Sequence, residues 1–64
     1  MTNEGVKELI NDILKQEESI LKLYEKLINE TEDEEILKVL KPIASDEGKH
    51  IGNARKMLSI IEGK

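Results

Sequence analysis

The apolar residues of this 64-residue chain recur in steps of three and four over two long stretches, separated by a short polar break. The first stretch runs through Val6, Leu9, Ile10, Ile13, Leu14, Ile20, Leu21, Tyr24, Leu27 and Ile28. The second runs through Ile36, Leu37, Leu40, Ile43, Ala44, Ile51, Ala54, Met57 or Leu58, and Ile61. Such steps mark one face of a helix, and no alternating strand pattern competes with them. The spacing predicts a single all-α hairpin domain, with helix 1 over 3–29, a turn over 30–33 and helix 2 over 34–62. Asn3 is the expected N-cap of helix 1, and Thr31 with Glu34 a capping box for helix 2. Gly63 is the expected stop. Pro42 cannot donate to the carbonyl of Lys38, which predicts a kink. Ala44, Gly48 and Gly52 form a small-residue row suited to close approach by another helix.

Two antiparallel helices cannot hide both stripes from water. Chains this short usually add disulfides, a metal or a partner chain, and there is no cysteine to form a disulfide. The simplest closure is a two-fold homodimer, or a higher homo-oligomer, built as a four-helix bundle. The net charge of −4, with Arg55 the one arginine, argues against nucleic acid as a partner. No apolar run reaches membrane-spanning length, and residues 1–5 lack signal-peptide character. The expectation is a soluble cytoplasmic protein.

Polar residues interrupt the stripes at one level. Glu17 replaces an aliphatic residue in the row Ile10, Ile13, Glu17, Ile20, Tyr24, and Glu47 and His50 do so in the row Leu40, Ile43, Glu47, His50, Ala54. Helical spacing sets Glu47 beside His50. Counted from Thr31, Glu17 and Glu47 both lie roughly 21–24 Å from the turn at 1.5 Å per residue. With 11 glutamates in the chain, a Glu-x-x-His pair is weak by itself, and its placement on an apolar stripe strengthens it. A two-fold axis would bring four glutamates and two histidines together. Buried carboxylates without counterions protonate or attract cations. Oxygen and imidazole donors suit iron or manganese better than magnesium, and zinc is also compatible. Glu18 competes with Glu17 as ligand, and Glu17 is favoured by its seven-residue spacing to Tyr24. Tyr24 leans back toward the site level and is either a partner of the site or a core tyrosine.

Glu17, Tyr24 and the segment Asp46-Glu47-Gly48-Lys49-His50 make the chain resemble the ferritin-like superfamily, in particular the two-helix half-ferritins called encapsulated ferritins, over roughly residues 10–60. Rubrerythrins and bacterioferritins are similar more distantly. The resemblance implies a di-iron site between subunits, with Glu47 bridging two metals and Glu17 and His50 binding one each. It also implies that Tyr24 supports the ligands or supplies an electron, and that Asp46 holds the free N–H of a histidine or is merely solvated. The implied activity is ferroxidase: Fe(II) oxidised to Fe(III) by dioxygen or peroxide, for storage or detoxification. An encapsulin-type shell is the implied partner, placing the protein inside a nanocompartment, although Ile60-Ile61-Glu62-Gly63-Lys64 does not resemble the family's shell-docking segment. The alternatives are a rubrerythrin-like peroxide reductase at the same site and a metal-free helical oligomerisation module.

Overall fold

A computed structural model describes residues 2–64. The chain folds as two antiparallel helices packed side by side, α1 over Asn3–Glu30 and α2 over Glu34–Glu62, with no strand among the described residues. The hairpin measures 47 × 14 × 14 Å.

The N-caps differ from the sequence expectation. Thr2, extended at φ −81° and ψ 163°, caps α1 by accepting a hydrogen bond from the Gly5 amide at 3.0 Å, and Asn3 is already the first helical residue. The Thr31–Glu34 capping box does not form, because the helix begins two residues later than that motif requires. Asp33 is the N-cap of α2, accepting from Glu35 and Ile36 amides at 2.9 and 3.2 Å. The Thr31 hydroxyl instead accepts from the Asp33 amide at 3.2 Å, and the Thr31 N–H closes α1 on Leu27 O at 2.9 Å. Glu34 and Glu35 then lie in the first turn of α2, where the helix dipole favours anions. Gly63 does cap α2, in the right-handed region, so its freedom to go left-handed is not used.

Helix α2 runs without a break through Pro42. Pro42 and Lys38 both lie on the exposed face, where water can hydrate the carbonyl that lost its donor. The two glycines of the small-residue row have no neighbour within the hairpin: a Cβ added at Gly48 or Gly52 would meet nothing within 4 Å.

Among the described residues, only Ile10, Leu40, Ile51 and Ala54 are buried. Nine large apolar side chains among the described residues are more than a third exposed, Leu23 at 68% and Val39 at 62% the most. They fall into two adjacent columns of a seven-residue repeat. One column holds Ile13, Ile20 and Leu27 on α1 with Ile36 and Met57 on α2; the other holds Leu9 and Leu23 with Val39 and Ile60. An apolar strip, interrupted by polar residues near its middle, therefore runs along one side of the molecule and lacks a partner within it.

Candidate metal centre

Glu17 and Glu47 occupy the same heptad column as the buried Ile10 and Leu40, which directs both carboxylates inward between the helices. Their side chains retain 23% and 15% of their exposure, and His50, on the strip column, retains 57%. The imidazole Nδ1 lies 3.7 Å from Glu17 Oε2 and 3.8 Å from Glu47 Oε1. Those distances exceed a hydrogen bond. One ligand atom from each of the three residues lies within 4.8 Å of the others.

Glu17 Oε2 and Glu47 Oε2 are shielded from solvent and have no hydrogen-bond partner. As anions the two carboxylates offer each other no donor; a proton held between them supplies one. That is why the Glu47 carboxyl titrates above its ordinary 4.5. Hydrogen bonding to Glu17 is the largest cause, followed by burial and by repulsion from the Glu17 charge, with His50 pulling the other way and Asp46 adding slightly to the rise.

The donor set fits a divalent transition metal. Two carboxylates and an imidazole are its usual protein ligands, and bonds of about 2.1 Å put opposite ligand atoms at most about 4.2 Å apart. The 4.8 Å spread needs only small side-chain rotations to close to that span. A cation would also satisfy both orphaned oxygens.

The remaining residues singled out from sequence lie around this cluster. Glu18 is not part of it: its Oε2 accepts from the Arg55 guanidinium at 3.4 Å, on the flank away from His50. Tyr24 is half-buried one heptad beyond Glu17. Asp46 is 65% exposed and pairs with Lys49 at 3.9 Å. Gln16 and Asn53, which periodicity alone passed over, fall with Asp46 in the strip column that is otherwise apolar. The strip thus turns polar at Gln16, Asp46, His50 and Asn53, close to the level of the carboxylates. A heptad assignment of the sequence would have shown this window.

No helix among the described residues is long and apolar enough to cross a membrane. Comparison with protein families, curated proteins and solved structures finds no match to this chain.

Proposed function

We propose that two copies of this chain associate through the apolar strip into a ferritin-like four-helix bundle whose shared centre oxidises Fe(II) to Fe(III), for iron storage or detoxification. The observation that carries the reading is the cluster of Glu17, Glu47 and His50, with two shielded carboxylate oxygens lacking partners, opening onto an uncovered apolar strip. Each copy supplies one inward Glu on one helix and a Glu-x-x-His pair on the other. Two copies would assemble the set of four carboxylates and two histidines used by di-iron carboxylate bundles.

Iron is the substrate here, and its chemistry is one-electron loss to dioxygen or peroxide. The chain's own contribution is electrostatic and steric. Glu17 and Glu47 are hard anionic donors that favour the ferric over the ferrous charge, while His50 adds a nitrogen donor. The flanking Ile13, Ile20 and Met57, once covered, exclude bulk water from the centre. Tyr24 stands one turn beyond Ile20, suited to hydrogen-bonding a ligand carboxylate or giving up an electron. Manganese or zinc would compete for the same donors. The compartment that suits this activity is the cytoplasm, or the interior of a protein shell.

Anaerobic titration with Fe(II), followed by oxygen, tests the reading. Uptake near one iron per chain and rapid ferric absorbance are expected, both lost in Glu47→Ala and His50→Ala. Peroxide outrunning dioxygen would indicate a rubrerythrin-like peroxide reductase. The raised Glu47 pKa favours one other reading, a metal-free oligomerisation module in which Glu17 and Glu47 share a proton. That reading predicts neither uptake nor oxidation.

A further inference from the structure

Apolar burial leaves the rotation of α1 about its own axis open. Its stripe spans four heptad columns, and α2 covers about half of that arc. Leu14, Leu21 and Ile28 are half-buried, while Ile13, Ile20 and Leu27, on the strip, are 47%, 38% and 45% exposed. A roll of about 50°, the angle between neighbouring heptad columns, would exchange the second set for the first. Both sets are Leu and Ile, so the exchange buries nearly as much apolar area as it exposes. The flank opposite the strip does not block such a roll. An open groove of about 320 Å³ lies there between Leu21 and Ile51, and a Cβ added at Gly48 on its edge would meet nothing within 4 Å.

The carboxylate cluster does depend on that rotation. Glu17 faces Glu47 and lies 3.7 Å from His50, which stands on the strip column. The same roll would carry Glu17 away from His50 and swing Glu18 outward on the opposite flank. Glu18 is where the hairpin has a tether. The Arg55 guanidinium donates to Glu18 Oε2 at 3.4 Å, the only hydrogen bond between side chains of the two helices among the described residues. Residues 17 and 18 are about 100° apart on one helix, so a bond that fixes the direction of one fixes that of the other. Arg55 and Glu18 are 64% and 42% exposed, and such a pair adds little to global stability. A small energy is enough to choose between two packings that bury nearly the same apolar area.

We infer that Arg55 is a positioning residue of the metal centre: bound to Glu18, it holds α1 in the rotation that keeps Glu17 against both Glu47 and His50. The inference rests on the reading that these three residues bind a cation, and it needs neither iron oxidation nor a second copy.

Zn(II) affinity, measured by calorimetry, tests it because charge and position act with opposite signs. Arg55→Gln removes a positive charge beside a cation site, which by Coulomb attraction alone would tighten binding. Loss of the tether should instead weaken it about tenfold, the low end for removing a supporter of a ligand. The exchanged pair, Glu18→Arg with Arg55→Glu, rebuilds the bond at unchanged net charge and should return the affinity to that of wild type. The visible absorption of bound Co(II), which follows coordination geometry, should change in Arg55→Gln and recover in the exchanged pair. Urea unfolding of metal-free Arg55→Gln should match wild type, because the pair is exposed. Equal or tighter Zn(II) binding by Arg55→Gln would overturn the inference. So would a loss that the exchanged pair does not restore, or one matched by lower metal-free stability. A wild type that takes up no Zn(II) would overturn this inference together with the metal centre, whereas one that binds Zn(II) no better than Arg55→Gln would overturn this inference alone.

Discussion

Glu17 and Glu47 stand thirty positions apart in the chain, yet each holds a shielded Oε2 without a hydrogen-bond partner, and His50 Nδ1 lies 3.7 and 3.8 Å from their carboxylates. Two carboxylates held this way repel each other until a proton or a cation joins them. Which of the two arrives depends on pH and on metal supply, and both can be measured.

The first consequence concerns the metal-free protein. Glu47 binds its proton more tightly folded than unfolded, so its stabilising contribution is full below the ordinary 4.5 and is lost as pH rises through the raised folded value. Thermal unfolding of wild type against Glu47→Gln, from pH 4 upward, should show the wild type losing stability relative to the variant across that window. A constant difference between the two curves would contradict the shared proton.

The cation should reverse that trend. Metal binding must displace the proton between Glu17 and Glu47, so Zn(II) affinity by calorimetry should rise with pH over the same window and be accompanied by proton release. His50→Ala removes a direct donor and should cost more than the roughly 10- to 100-fold loss typical of removing a mere supporter of a ligand. Equal affinity in wild type and variant would remove His50 from the ligand set.

The uncovered strip predicts association. The unfolding midpoint should rise with protein concentration, as it does when folding and assembly are linked. Leu27→Glu, ten residues from Glu17 and 45% exposed, should shift sedimentation toward the monomer. Asn29→Glu, exposed and off the strip, should not. Identical masses for the two variants would mean that the strip is not the contact.

Gly48 and Gly52 face open space, and each costs a helix interior about 1 kcal/mol relative to Ala. Gly52→Ala should therefore raise stability by roughly that amount in urea unfolding. A loss of stability instead would reveal a helix packed against this flank in the assembly.

Asp33, the observed cap of α2, should be the costlier turn residue to truncate. Asp33→Ala is expected to lose about 1 kcal/mol, within the 0.5–2 range for caps. Thr31→Ala removes only the single bond to the Asp33 amide, so a larger loss there would restore the capping box expected from sequence.

The all-helical hairpin was legible because period alone carries it: steps of three and four in two stretches, with a polar break at Asn29–Asp33, leave few other ways to bury Leu and Ile. The shared level of Glu17 and Glu47 was legible too, since helical rise converts a residue count into a height. The N-caps were misread because Thr2, Asn3, Thr31 and Asp33 are all competent capping residues, and backbone dihedrals, which local sequence leaves open, decide between them.

What the tertiary structure decided is which side of each stripe faces inward. Both stripes span four heptad columns, and a two-helix hairpin can cover only about half of that arc. Ile10, Leu40, Ile51 and Ala54 are buried, while Ile13, Ile20, Leu27 and Met57 remain uncovered. The same packing turned Glu18 toward Arg55 and left Glu17 facing Glu47 and His50. Adjacent residues on a helix differ by about 100° in direction, so only the position of the second helix separates a surface ion pair from an inward carboxylate.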